Sequence, residues 1–249
     1  MSKLFDRAFI SGQHARRSPL TGEHDFLFRH VEADAQARLA FLKEMPRTAA
    51  IQGRRPTADI ADCFETTGRF KLNVENETLE FWEKPEKPID LFLTLLSLHA
   101  ANDVVGVLKH MREALAPRGL LLACVFGSQT LVTLRQALLA AETEIYGNAG
   151  ARIYPFADGA AWAGQLQLAG YKLPVSDSEL FTVHYRSLNA LLTDIRMMGE
   201  ANGMIQRSRR PLFPHVVARA EEIYREIAPS EDGLLEATFD LTWMMGFKD

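Results

Sequence analysis

The sequence is short of cysteine, of net basic charge and of long apolar runs, and each shortage removes a class of function. Its two cysteines, Cys63 and Cys124, form no short redox or metal spacing. Each is expected to pack as a small buried apolar group in a reducing compartment. Lysine and arginine number 28 against 32 acids, a net charge of −4, and so give no broad footprint for nucleic acid. No apolar segment reaches the roughly 18 residues that span a bilayer, and the N-terminus lacks the apolar core of a secretion signal. There is no metal-ligand triad, no Ser–His–Asp pattern and no P-loop, so no metal is expected and no catalytic residue stands out. The expected location is cytoplasmic.

What is present is ordinary globular composition, 47% hydrophobic and 24% charged over 249 residues, enough for one α/β domain or two small ones. The most informative stretch is Ile89–Gly127. Asp90 precedes a near-continuous apolar run, Leu91–Leu98, which suits a strand buried on both faces. Asn102 or Asp103 can cap a helix N-terminus, and Val104, Leu108, Met111 and Leu115 follow at helical spacing. Pro117 and Gly119 are expected to end that helix before a second buried strand, Leu120–Phe126. The strands of such a unit should be parallel, with a right-handed crossover.

This stretch, with LLSLHAAND and LAPRGLLLACVFGSQTL, resembles the fourth and fifth strands of class I S-adenosylmethionine (SAM)-dependent methyltransferases. More narrowly it resembles the branch containing the complex I assembly-factor arginine hydroxylase, itself related to the malonyl-carrier methyltransferase BioC. Phe5-Asp6-Arg7 near one end and Ala237-Thr238-Phe239 near the other extend the likeness over nearly the whole chain, and on that likeness no removable leader is expected. The resemblance implies a Rossmann-like fold whose mixed sheet has an antiparallel last strand. It also implies SAM as the cofactor and a protein partner in respiratory-complex assembly.

The cofactor motif departs from that pattern. Related enzymes carry D-x-G-C-G-x-G after the first strand; here Thr48–Gln52 leads into Gly53-Arg54-Arg55-Pro56, with Ala50 read at the place of the acid. A helix over Thr57–Thr67 and a strand over Arg69–Val74 follow. The interval from Ala50 to Asp90 is too short by one strand-plus-helix unit, since a βαβ crossover needs roughly 30 residues, so the acid that grips the ribose has no counterpart. Glu75 and Asn76 match the adenine position or else form a solvated turn. Gly53, Glu75, Asn76, Leu96 and His99 are the positions at which the resemblance places a cofactor. His99 as a general base needs a partner carboxylate and a nearby substrate, and the sequence shows neither; the favoured reading is a structural histidine that caps the strand end. Losing these acids points to a divergent member that binds SAM weakly or not at all and acts by protein contact; the alternative is an active methyltransferase.

The remaining chain reads as a helical N-terminal segment, 1–45, with a helix from Asp25 to Met45 ended by Pro46. The resemblance implies that this helix covers the cofactor pocket; its own pattern suits packing on one edge of the sheet, and the two roles are compatible. A Rossmann-like core of 46–186 and 235–249 carries a helical cap, 187–234, as an insertion in a single domain. Ser128–Tyr146 is a helix with Leu131, Leu134, Leu138 and Leu139 inward and with Arg135 and Glu142 on a solvated face. Ala157–Ala169 is another, ended by Gly170. Leu173–Tyr185 reads as a strand broken by the polar SDSE. Glu200 and Asn202, in the family's M-G-E-x-N block, are pocket-lining or a hydrogen-bonded helix end. Arg207, Arg209 and Arg210 suit an acidic protein surface or a solvated loop. Tyr185, Trp243 and Met245 line a substrate side or pack in strands.

Overall fold

A computed structural model describes residues 3–16, 22–42, 46–53, 69–71 and 84–249. The chain divides into two compact units. The first is Leu20–Gly127, Ala157–Glu179 and Leu241–Asp249, and the second is Met1–Pro19, Ser128–Phe156 and Leu180–Asp240.

In the first unit β1 (Ala49–Gly53) pairs in parallel with β2 (Arg69–Lys71) on one side and with β3 (Ile89–Leu95) on the other. An acid from β3 starts β1. The Asp90 carboxylate accepts hydrogen bonds from the Arg47 and Thr48 amides at 2.9 and 3.0 Å and from the Thr48 hydroxyl. The Asp90 amide donates back to Thr48 Oγ1. This reciprocal clasp satisfies backbone donors that precede the ladder and fixes the register of the pair. Leu91, Phe92 and Leu93 are wholly buried, as a strand covered on both faces requires.

Asp103 caps α3 (Val104–Ala114) by accepting from the Gly106 amide at 2.9 Å; α1 and α2, which precede it in the chain, are Arg7–Arg16 and Phe26–Ala40. The helix stops at Ala114, before Pro117. Leu115 already pairs with Ile89, and a register shift carries β4 (Leu115–Phe126) past Pro117 and Gly119 into its run beside β3. The two strands are parallel, as expected. The final strand, β6 (Leu235–Phe247), lies antiparallel to β4, from Leu120↔Phe247 to Phe126↔Leu241. With β5 (Lys172–Tyr185) the sheet order is β2-β1-β3-β4-β6-β5. Six strands are described. The strand-plus-helix unit expected to be absent falls between Gly53 and Asp90, where 54–68 and 72–83 lie outside the described residues, as do the expected helix at 57–67, Cys63, Glu75 and Asn76.

One face of this sheet carries the core cluster of Ala50, Phe92, Leu121 and Met244, packed against Leu108 and Met111 of α3 and Trp162 and Leu166 of α5 (Gly159–Leu168). Each large side chain so buried contributes about 1.5–3 kcal/mol. α2 ends at Ala40, earlier than Pro46. Its Leu27, Val31, Ala35 and Leu39 are buried, and His30, Asp34 and Arg38 share a second stripe. His30 Nε2 is 3.2 Å from Glu179, and Arg38 bonds to Asp34 and, bidentately at 3.0 and 2.7 Å, to Asp177. The Arg38 guanidinium lies 4.6 Å from the centre of the Trp243 ring. The helix therefore packs on the edge strand. These contacts also explain why β5 is unbroken through SDSE: Asp177 and Glu179 meet α2, and Ser178 Oγ is 3.0 Å from Thr242 Oγ1.

In the second unit α4 (Val132–Tyr146) begins later than Ser128, because Leu131 adopts a left-handed conformation, φ 53°, with its amide on the Thr238 carbonyl. Leu134 and Leu138 face inward as expected. Two residues do not follow the expectation: Leu139 is 54% exposed, and Glu142 is buried. Ser187 caps α6 (Leu188–Met198) through the Ala190 amide, Gly199 closes it at φ 73°, and Pro214 opens α7 (Pro214–Ile227) at its first turn. These two helices form the expected insertion between β5 and β6.

Candidate functional site

The carboxyl edge of β1 and β3 is where open α/β sheets bind ligands. Gly53 ends β1 against Leu95; a Cβ there would stand 3.4 Å from Leu95 Cβ and 3.5 Å from its carbonyl oxygen. The residue that follows β3, Leu96, holds φ 48°, a left-handed conformation that costs a leucine about 1–2 kcal/mol. Burial and a 2.8 Å bond from its amide to the Cys124 carbonyl hold it there. The turn delivers Ser97 and the single 3-10 turn Leu98–Ala100, placing the His99 ring 4.9 Å from that of Phe126.

Behind this turn runs a buried chain of hydrogen bonds. The Thr94 hydroxyl donates to Gln52 Oε1 at 3.1 Å, and Ser97 Oγ lies 2.8 Å from Thr94 Oγ1. With the Thr94 proton committed to Gln52, Ser97 is the donor in the second bond. Gln52 and Thr94 are register partners, two positions beyond Ala50 and Phe92 on the same face. Sequence reasoning passed over this chain. Its signal was a polar side chain at the corresponding place near the end of two otherwise apolar strands. Ala50 itself is wholly buried in the core cluster. Counted two residues before Gly53, the acid of a D-x-G turn falls at Ile51, and that side chain is also apolar and buried. Neither position presents an oxygen.

Trp243 lies in the first unit, fully buried beneath Arg38. Cys124, its register partner on β4, is buried as well, and burial pushes its thiol well above the usual range. Tyr185, Glu200, Asn202, Arg207 and Arg210 lie in the second unit. The Tyr185 phenol is pushed up by burial and by the neighbouring Asp194.

Glu200 follows the end of α6, its amide on the Ile195 carbonyl. Asn202 clips two segments together: Nδ2 donates to the Ala151 carbonyl at 3.0 Å and Oδ1 accepts from the Met204 amide at 2.9 Å. The Gly203 amide donates to Tyr154 Oη at 2.9 Å, and burial, with the Glu200 charge, raises that phenol's pKa. A Cβ on Gly203 would come within 2.3 Å of Ile10 Cγ1, so α1 packs where only glycine fits. Arg207 turns inward, donating to Asp6 at 3.2 Å and to the Met204 carbonyl at 2.8 Å, 3.7 Å over the Phe9 ring. Arg210 lies outside, 4.1 Å over Tyr146. Glu142 accepts from Arg152 Nε at 3.2 Å and from the Gly150 amide at 3.3 Å, and Arg152 also donates to the Arg210 carbonyl.

Among the described residues no group of three or more His, Cys, Asp and Glu is placed to hold a metal ion, and no helix is long and apolar enough to cross a membrane. No family model matches the chain. The chain is 31% identical over 166 residues to the malonyl-(acyl-carrier protein) O-methyltransferase of Halorhodospira halophila, covering 65% of this chain and 54% of that one. Its backbone is similar to the solved structure of a protein assigned as a methyltransferase from Bacillus halodurans, with a TM-score of 0.51 and 11% identity, covering 86% of this chain and 97% of that one. That likeness is one of fold, in keeping with the mixed sheet and its antiparallel last strand. The mitochondrial arginine-hydroxylase NDUFAF5 of Danio rerio is 32% identical over 252 residues, 99% of this chain and 73% of that one. The chain spans 37% and 49% of the length of the same protein from Dictyostelium discoideum and Rattus norvegicus. On this match, which runs nearly end to end, and on the methyltransferase-type sheet, the chain belongs to the arginine-hydroxylase NDUFAF5 family.

Proposed function

We propose that this protein is a divergent member of its family that binds SAM weakly or not at all and acts by protein contact. One observation carries the reading: the carboxyl edge of β1 and β3 offers buried apolar side chains at Ala50 and Ile51, and the polar side chain beside them, Gln52, is engaged by Thr94. The described residues therefore do not fit SAM as the related motif holds it. Losing a charge-assisted hydrogen bond costs about 1.5–3 kcal/mol, which is one to two orders of magnitude in affinity. The partner that the family suggests is a component of a respiratory complex in assembly.

A second reading is an active SAM-dependent methyltransferase on a small, carrier-bound or protein substrate. The strained Leu96 turn beside Gly53 favours it, because strain of this kind gathers at ligand sites. Calorimetric titration with SAM and with S-adenosylhomocysteine separates the two. Absence of heat at micromolar ligand, with weak or no binding at millimolar, is the expected result. Micromolar binding that disappears in a folded Gly53→Trp variant would establish the enzyme reading instead.

A further inference from the structure

The loop joining α6 to α7, residues 199–213, has no regular secondary structure of its own, yet its backbone is fastened along most of its length. Asn202 and the Ser208 amide both hold the Ala151 carbonyl, the Ile205 amide bonds to the Leu4 carbonyl, Tyr154 takes the Gly203 amide, and Arg152 takes the Arg210 carbonyl. Long loops of this kind within a folded unit are commonly functional. A loop already ordered loses less freedom when it meets a partner.

The three arginines of this loop have different fates. Arg207 is neutralised from within by Asp6. Arg209 and Arg210 are exposed and make no ion pair among the described residues, although Arg209 helps to lower the pKa of Asp6 at longer range. The nearby acids of α4 are committed elsewhere, Glu142 to Arg152 and Glu144 to Arg219. Arg210 is stacked on Tyr146, with one further bond to Asn148 Oδ1 at 3.4 Å. His215, at the start of α7, bonds to the Tyr146 hydroxyl at 3.2 Å and lies parallel to the Phe213 ring at 5.8 Å. Phe213 is exposed, as is Ile145, the residue before Tyr146 in α4. The result is one guanidinium, Arg210, held on an aromatic platform, with the exposed charge of Arg209 next to it in the chain and the exposed ring of Phe213 beside His215.

We infer that this patch docks an acidic, amphipathic segment of a partner protein, with partner carboxylates on Arg209 and Arg210 and apolar side chains on Phe213 and Ile145. Nucleic acid fits less well, because it calls for a broad basic stripe and the chain as a whole carries −4. An anionic membrane calls for about four to eight clustered basic residues. The inference rests on the protein-contact reading and names the surface that would serve it.

The test is fluorescence anisotropy of the full chain with a fluorescein-labelled peptide rich in glutamate, with leucines at helical spacing. A single-stranded oligodeoxynucleotide and phosphatidylserine vesicles are the competing probes. The peptide is expected to bind most tightly of the three, and Arg209→Ala/Arg210→Ala to weaken it about tenfold or more, since two charge pairs and a stack are lost. Arg196→Ala, which removes one exposed charge elsewhere, should leave binding unchanged, and both variants should melt as the parent does. The inference is overturned if the peptide does not bind, if the double variant binds it as well as the parent, or if the oligonucleotide or the vesicles bind more tightly. SAM titrated in the same assay keeps the two readings apart. Micromolar SAM binding with the peptide result intact overturns only the cofactor reading; peptide binding indifferent to the arginines overturns only this surface.

Discussion

Glu142 and Arg152 form the most buried ion pair among the described residues, and two of the carboxylate's donors come from the loop that follows its own helix. Removing one partner of such a pair leaves the other charge stranded, which costs about 3–5 kcal/mol. Glu142→Ala should lower the unfolding free energy by that order, measured by urea titration of the soluble variant. Asp6 behaves differently because it is only half-buried. The Phe9 amide, opposed by desolvation and helped by Arg207, holds its carboxyl below the ordinary value of 3.8. A carboxyl depressed in the folded state stabilises above its unfolded pKa and loses that contribution as pH falls through the folded value. NMR titration of Asp6 should therefore show a midpoint below 3.8, and Asp6→Asn should flatten the acid limb of the stability curve. Neither role was legible in the sequence. Helical spacing placed Glu142 on a wet face because spacing reports only the helix's own geometry, and Arg152 arrives from a loop that no periodicity describes.

At the scale of elements, the β3–α3–β4 unit was legible because burial on both faces writes an unbroken apolar run and Asp103 punctuates it. β5 was legible in its bounds but not in its continuity through SDSE, because its polar residues are satisfied by α2, more than a hundred residues earlier in the chain. The stripe of His30, Asp34 and Arg38 looks like ordinary solvated helix until the strand it meets is known. Arg38 joins the two elements by a bidentate bond and a stack on Trp243 at once. Arg38→Ala should destabilise the protein by about 1–2 kcal/mol, read by chemical denaturation. Arg38→Lys should recover less than half of that, because an ammonium cannot reproduce the planar fork. Equal stability of the parent and the alanine variant would show that the helix is held by its apolar stripe alone.

For the molecule as a whole, the topology followed from the chain: parallel strands around β3, a helical insertion, and a last strand running against β4. The candidate cofactor edge was legible only in part. Gly53 ends β1 and Leu96 follows the end of β3, a strand the apolar run had carried on to Leu98, whereas the Ser97–Thr94–Gln52 chain had to be seen to be found, since its members pair across strands. The clasp of Asp90 on Thr48 was missed for the same reason.

The sheet order has one consequence for how the protein is made. β6 lies between β4 and β5, yet among the described strands it comes last in the chain. Until residues 235–247 have left the ribosome, β5 has no strand beside it and β4 has one edge bare. From the completion of β5 until β6 emerges, the chain therefore carries open edges on both β4 and β5, and exposed edges of this kind invite pairing with other chains. Completion of the sheet is a closing event that joins distant parts of the chain, slow because of the loops it must order. Sites that shield nascent β4 and β5, whether a chaperone or the protein's own helices, would then govern its yield in the cell more than its final stability does.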